Sequence, residues 1–373
     1  MKITSIRAAT LALPIPKPVI LGRTKITTRD VVVLRLTTED GAVGEAIGYT
    51  RATPLLAGLK MIAHSVLGAD SCAPRRLSQQ LANSNSPGRA QMSRAYSLVD
   101  IALWGVVAHR SRMPLFQLLG GAAQTIKATA VAGYYLRSRT ADDVINENKR
   151  RFDEGYARVK TMIDGANQPF DLDLCEKLAA LPASTALDAH WSWTQLEPAR
   201  RFCQSLDGMG FDFVEDPFPA GFEYLTASLQ HSITTPLAAG EDAQGLPSLA
   251  RIARDIGVLR VDATTCGGLS TATDAIACAK AAGRIVSPHV FAPLHMHLAC
   301  AFETIDHIEI IPEDVGSDPL PLVLKHWPDP KDGQFCIDDR PGNGIIVDWE
   351  KAESFCVDEV LQLDSSNSKA RLL

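Results

Sequence analysis

Five short apolar runs between Ala186 and His289 each end in a residue able to bind a metal or carry a proton, and they recur at a nearly constant interval. They are Ala186-Leu187-Asp188-Ala189-His190, Phe211-Asp212-Phe213-Val214-Glu215, Leu237-Ala238-Ala239-Gly240-Glu241, Leu259-Arg260-Val261-Asp262 and Ile285-Val286-Ser287-Pro288-His289. Successive polar ends lie roughly 21 to 28 residues apart, the length of one strand, one crossover helix and their loops, which puts the chemistry at one edge of a parallel sheet.

The flanking sequence extends this series. Strands are expected at Lys127–Ala132, Ala157–Met162, Thr185–Asp188, Phe211–Glu215, Pro236–Glu241, Val258–Asp262, Arg284–Ser287 and Ile305–Ile311, with helical patterns between most of them. Eight strands feeding one site fit a closed α/β barrel of the TIM type better than an open doubly wound sheet. Before the series, residues 1 to about 50 alternate like an antiparallel meander, with a Pro- and Gly-rich Leu13–Thr28 segment expected to be a mobile loop. Residues from about 53 to 120 turn helical and stop at Gly120-Gly121. The expected division is an α+β capping domain over 1–124, a barrel over 125–318, and a segment over 319–373 returning to the first domain through Arg340–Asp348.

With 46% hydrophobic and 21% charged residues in 373, a large buried core is available. The net charge of −6 offers no basic face for nucleic acid, so an anionic substrate must be held by local charge. Eight cysteines are spread singly, a usage expected of reduced core thiols in a cytoplasmic protein. The first residues alternate like a strand and reach Arg7 and Pro14 before an apolar signal region could form, and no apolar run has the length of a spanning helix.

Last residues of barrel strands face a common centre, so Asp188, Glu215 and Glu241 are expected to converge. Three carboxylates at short range repel, and a hard divalent cation, Mg²⁺ or Mn²⁺, is the simplest means of holding them ionised. Without a cysteine or a histidine pair among them, zinc is disfavoured. The competing reading, in which each acid caps a helix or pairs with an arginine, must account for three acids in step with the strands.

At these residues the chain resembles the enolase superfamily, in its mandelate racemase/muconate lactonizing branch. The resemblance rests on Leu98-Val99-Asp100-Ile101-Ala102-Leu103-Trp104, Leu118-Leu119-Gly120-Gly121, Val214-Glu215-Asp216-Pro217, Gly240-Glu241, Gly267-Gly268 and Pro341-Gly342-Asn343-Gly344. It implies a capping domain over a modified (β/α)7β barrel, a magnesium ion on the three acids, a small-molecule carboxylate as substrate, and removal of the proton α to that carboxylate. It also implies a homo-oligomer, dimer to octamer. Asp262 and His289 match the dyad in which histidine is the base and aspartate orients it. Glu309 matches the acid that hydrogen-bonds the carboxylate as charge develops, although its strand also carries His307 and could meet solvent.

The departure from the family is on the second strand. Where Lys-x-Lys is usual, the chain has Lys160-Thr161-Met162, and a thioether takes no proton. Lys160 is left as an electrophile beside the substrate carboxylate, and a two-base racemase loses half its machinery. His190, at i, i+2 from Asp188, is expected on the same strand face, and the resemblance to acid-sugar dehydratases, D-galactonate dehydratases among them, implies a proton donor to a leaving β-hydroxyl. The alternative role is a substrate contact packed on Trp191 and Trp193. The leading expectation is dehydration of a sugar acid to a 2-keto-3-deoxy acid. A racemase, epimerase or other isomerase is the second reading, and a non-catalytic metal-binding relative the third. His295 and His297 have the spacing of a ligand pair but are expected to be structural. Specificity is expected from the Pro14–Thr28 loop, Gly48–Arg51 and Tyr134.

Overall fold

The structure, a computed structural model, describes residues 1–21, 24–84 and 88–365. Its first three strands, β1 (Ile3–Leu21), β2 (Thr24–Thr38) and β3 (Val43–Tyr49), form an antiparallel meander. The expected loop over Leu13–Thr28 is instead mostly hairpin: Val19 pairs with Ile26 and Ile20 with Lys25, with a register shift after Pro14. Three prolines at 14, 16 and 18 remove ladder donors and break the register, while the β-branched residues on either side restore it. Gly22 and Arg23 of that expected loop lie outside the described residues.

Four helices follow: α1 (Leu55–Val66), α2 (Pro74–Ser84), α3 (Arg89–Ser111) and the single turn α4 (Leu115–Leu118). α3 crosses β3 at Gly44, where an added Cβ would stand 1.9 Å from the Ala102 carbonyl oxygen. Only glycine allows that approach, so this residue sets how closely helix and sheet pack.

The second sheet holds eight parallel strands in sequence order: β4 (Thr125–Ala132), β5 (Arg158–Met162), β6 (Ser184–Asp188), β7 (Val214–Glu215), β8 (Leu237–Ala239), β9 (Val258–Val261), β10 (Ile285–Pro288) and β11 (His307–Ile310). β11 pairs with β4, and the Val286 amide donates to Thr304 O across the remaining seam. Seven helices make the crossovers: α5 (Ala141–Asp153), α6 (Gln168–Ala179), α7 (Leu196–Ser205), α8 (Glu223–Gln230), α9 (Leu246–Asp255), α10 (Leu269–Ala281) and α11 (Ala292–Ala301). Two 3-10 turns, Glu313–Val315 and Leu320–Leu322, follow β11 in place of an eighth crossover helix, so the architecture is the (β/α)7β barrel that the resemblance implies. β5, β7, β8, β9 and β11 are shorter than expected, and Glu241, Asp262 and His289 stand one or two residues beyond the strands that lead to them, at the start of the following loops.

Inward-facing residues fill the barrel in layers. Ala186, Phe213, Ala238 and Val258 form an apolar floor. One pleat higher stand Lys160, Asp188, Glu215, Arg260 and Glu309, all buried.

After the barrel, β12 (Gln334–Cys336) pairs antiparallel with β4, α12 (Trp349–Glu353) is a short helix, and β13 (Leu361–Asp364) adds to β1. The Arg340–Asp348 stretch is not a strand. It is fastened by Asn343 Nδ2, which donates to Glu45 O and Ile101 O at 3.0 Å, and by Glu45 accepting from the Val347 amide. All eight cysteines are free, but only Cys175, Cys203, Cys266 and Cys300 are buried, so the core-thiol expectation holds for half of them. Among the described residues no helix is long and apolar enough to cross a membrane.

Candidate active site

Every residue singled out as catalytic or metal-binding lies at the C-terminal mouth of the barrel, within one charged cluster. Strand parity explains the inner layer: Arg158, Lys160 and Met162 share one face of β5, and Val258 and Arg260 share the inward face of β9 with Asp262 beyond it. Lys160 Nζ stands 2.8 Å from Glu215 Oε2, 2.7 Å from Glu309 Oε2 and 3.2 Å from Asp188 Oδ2. Burial works against its charge, yet Glu215 and Glu309 hold the ammonium well above its usual pKa. Glu309 is buried, so the solvent-facing alternative for its strand does not apply.

The sequence reading did not single out Arg260. Its guanidinium is fully buried at the barrel centre, donating from Nε to Glu215 at 2.8 Å and from Nη2 to Glu309 at 3.0 Å, with Glu241 3.9 Å away. The signal was available: Arg260 is two residues from Asp262, the same spacing used to pair Asp188 with His190. A buried arginine with two carboxylate partners is a fixed positive charge that no pH in use will remove.

Glu241 follows Gly240, whose φ of +125° turns the chain inward at the end of β8. Burial alone would raise its carboxyl pKa, but His289, Arg51 and Arg260 outweigh this and hold it well below the usual range. Arg51, from the loop after β3, donates to Glu241 Oε1 at 2.8 Å and lies 3.3 Å from His289 Nε2. The first domain thus contributes a cation to the metal-ligand cluster itself, rather than only to the distal specificity role expected of it.

His289 and Asp262 form the expected pair, Nδ1 to Oδ2 at 2.9 Å. Asp262 Oδ1 accepts from the amide and hydroxyl of Thr264, both at 2.7 Å, which leaves Oδ2 for the imidazole. With Nδ1–H donated to Asp262, the Nε2 lone pair faces Arg51 and Glu241.

His190 reaches the site by a different route from the one expected. β6 ends at Asp188, and His190 and Trp191 both adopt left-handed backbone, φ 43° and 62°. The ring is brought beside Asp188, Nδ1 to Oδ1 3.8 Å, by a turn in which the His190 amide donates to Asp188 Oδ1 at 2.9 Å. It lies against Trp191 with ring centroids 4.5 Å apart, while Trp193 packs on Phe202 instead. His190 Nε2 is buried without a hydrogen-bond partner.

The expected triad is brought together only in part. Carboxylate oxygens of Glu215, Asp216 and Glu241 lie within 4.8 Å of one another, whereas Asp188 is drawn to Lys160. Asp216 lies past the end of β7 with φ 41° and accepts from Trp191 Nε1 at 3.3 Å. All four acids are buried and offer hard oxygen donors, a set suited to Mg²⁺ or Mn²⁺.

A narrow cavity lined by Lys160, Asp188, His190, Glu241, His289 and Glu309 opens beside these groups, capped by Arg29, Tyr49 and Arg51 of the first domain. Tyr134 lines both this cavity and a neighbouring one of about 220 Å³, where Met162 lies with Tyr135, Ile163 and Asp164. Asp164 is 3.6 Å from Arg137 there and does not join the acidic cluster. His295 and His297 are buried on α11 with ring nitrogens in backbone hydrogen bonds rather than among the acids.

Comparison with known proteins gives a consistent set of matches. Residues 143–352 match the family described as enolase C-terminal domain-like, and residues 4–120 the mandelate racemase / muconate lactonizing enzyme N-terminal domain. L-talarate/galactarate dehydratase of Salmonella typhimurium is 26% identical over 357 residues, covering 90% of this chain and 86% of that protein. The L-Lys-D/L-Arg epimerase of Methylococcus capsulatus is 24% identical over 374 residues, 93% of this chain and 99% of that one. In fold, the L-talarate dehydratase of Polaromonas sp. JS666, solved with Mg and L-glucarate, superposes with a TM-score of 0.85 at 21% identity, covering 98% of this chain and 99% of that one.

Proposed function

This chain belongs to the mandelate racemase / muconate lactonizing enzyme family of the enolase superfamily and is an enzyme; from that premise we propose that it is a magnesium-dependent dehydratase of a sugar acid. The observation that carries the reading is the Asp262–His289 pair, whose Nε2 faces a buried carboxylate cluster in a cavity roofed by arginines.

Asp188, Glu215 and Glu241 would hold the ion, with Asp216 as the neighbouring alternative donor; Asp188 is favoured because it ends an inward-facing strand, while Asp216 is turned to Trp191. When bound, Mg²⁺ supplies Lewis acidity at the substrate carboxylate, lowering the cost of charge that develops there. His289 Nε2 takes the proton from the α-carbon, and Asp262 fixes the tautomer and stabilises the imidazolium. The freed electron pair spreads onto the carboxylate, next to Lys160 and Glu309. The β-carbon–oxygen bond then breaks, and the hydroxyl leaves as water with a proton from His190. The enol tautomerises to a 2-keto-3-deoxy acid. In a second reading, His190 returns a proton to the α-carbon instead, giving an epimerase; the favouring observation is that both imidazoles line one cavity.

A panel of aldonates and aldarates, galactarate included, assayed with a keto-acid reagent and Mg²⁺ tests this. A keto acid from at least one member is expected. Exchange of the α-proton in D₂O with epimer but no keto acid selects the second reading, and neither product nor exchange from the panel argues against both. Isothermal titration with Mg²⁺ should lose more affinity with Asp188→Asn than with Asp216→Asn; the reverse order would exchange their roles.

A further inference from the structure

The two sides of the Asp262–His289 pair are fastened to each other by a third residue. His295, one turn into α11, is completely buried. Its Nε2 accepts from the amide of Ala263 at 3.2 Å, and its Nδ1 lies 2.7 Å from the carbonyl oxygen of Val290. Ala263 is the residue after Asp262, and Val290 the residue after His289. One imidazole therefore spans the two loops whose side chains make the pair.

The tautomer follows from the partners. A backbone amide can only donate and a carbonyl can only accept, so Nε2 carries the lone pair and Nδ1 the proton. Protonating Nε2 would set two N–H groups against each other. Burial first, then the charges of His289 and Arg260, disfavours the imidazolium, opposed by Asp262 and the Val290 carbonyl. The ring is a neutral, two-ended clamp.

The loop it clamps needs one. Val290 and Phe291 take φ of 32° and 46°, two consecutive left-handed residues, one of them β-branched. Such backbone costs on the order of 1–3 kcal/mol per residue and persists only where its surroundings over-determine it. Further restraints lie on either side of the Val290 carbonyl: the His289 amide bonded to Val261 O at 2.9 Å, the Phe291 carbonyl accepting from the Leu294 and His295 amides at 2.9 and 3.0 Å, and Phe291 packed on Tyr49 with ring centroids 5.0 Å apart.

We propose that His295 is a positioning residue of the reaction, holding His289 in line with Asp262 by tying the Val290 carbonyl to the Ala263 amide. This rests on the reading of His289 as the base. Misplacement of a reacting group by about 1 Å costs on the order of 100-fold, which sets the scale of the effect.

Three variants and one spectrum test it. His295→Leu removes both bonds; His295→Gln keeps an acceptor and a donor on one planar group; His289→Asn checks the underlying reading. With the best substrate of the acid panel, His295→Leu should lower kcat roughly 10- to 100-fold, leave KM and Mg²⁺ affinity nearly unchanged, and move the acid limb of kcat/KM to lower pH, because a loosened Asp262 stabilises the imidazolium less. His295→Gln should recover most of the rate. Unchanged kcat and acid limb in the leucine variant overturn the proposal. So does a variant in which kcat, KM and metal affinity fall together and glutamine rescues nothing, since that marks general packing. Full activity of His289→Asn overturns the base assignment first, separately from His295. Independently of any substrate and of the variants' folding, ¹⁵N-histidine NMR of the wild-type protein should show one imidazole fixed as the neutral Nδ1–H tautomer from pH 5 to 8. Absence of such a ring overturns the clamp.

Discussion

The two walls of the pocket differ in kind. On the β9–β10 wall, an imidazole whose Nε2 faces the cavity beside Arg51 is backed by a carboxylate, which is in turn held by the Thr264 amide and hydroxyl. On the β5 wall, the nitrogen present is Lys160, and it is locked between Glu215, Glu309 and Asp188. The position further along that strand is Met162, in the adjoining cavity. A lysine in this much negative charge keeps its proton, so it can stabilise charge but not accept hydrogen. One wall can exchange a proton and the other can only attract, which makes chemistry from one face the natural outcome.

The largest expected effect breaks the active wall. His289→Asn should reduce α-proton exchange by about 10³-fold or more, read as loss of the α-¹H signal in D₂O; a rate near wild type would take the proton-moving role away from this wall.

Next is the electrostatic wall. Lys160→Met removes the cation that Asp188, Glu215 and Glu309 share and leaves Arg260 alone to balance Glu215 and Glu309, at a cost of about 3–5 kcal/mol. A lower Tm is expected, with partial recovery on adding Mg²⁺, and a Tm unchanged by either would mean that Lys160 is not what holds the carboxylates together.

The support behind the active wall should be pH-sensitive in a way the β5 wall is not. His297, on α11, accepts from the Phe116 amide through Nδ1, and burial pushes its pKa down to about 4. Its folded pKa lies below that of the unfolded chain, near 6.5, so the unfolded state binds the proton first as pH falls. The stability is present above about pH 6.5 and is lost on the way down to pH 4, amounting to about 3 kcal/mol. Urea unfolding of the wild type should weaken over this window, and His297→Gln should flatten that slope.

The smallest effect sharpens the comparison. Met162→Lys should change turnover by less than about tenfold, or 1.4 kcal/mol, yet permit deuterium to enter from the second face and the epimer to accumulate. Failure of any epimer to form would mean that the missing lysine is not what makes the pocket one-sided.

Much of this was legible in the residues alone. A repeat of apolar run and acid at the crossover interval dictates a parallel barrel, because side-chain alternation and the reach of a helix leave few other ways to bury those strands. The pairing of His289 with Asp262 and the lack of a second base at Met162 were readable through the resemblance to the mandelate racemase/muconate lactonizing branch, whose dyad and Lys-x-Lys pattern these positions match and break. Other features were hidden because they depend on partners distant in the chain. The Pro-rich hairpin forms because Val19 finds Ile26 despite three missing donors. Arg260 reads as one charge inside an apolar strand until the closed barrel surrounds it with Glu215 and Glu309. His190 arrives through a left-handed turn that strand alternation does not describe.

The sequence determined the order of elements, the edge on which the chemistry lies and the residue types gathered there, since these follow from periodicity and spacing. Only the tertiary structure decided which charge neutralises which: Arg51 reaches Glu241 from another domain, Lys160 gathers Asp188, Glu215 and Glu309, and His295 joins two loops. Electrostatic attraction and hydrogen bonding act over a few ångströms of space without regard to separation along the chain.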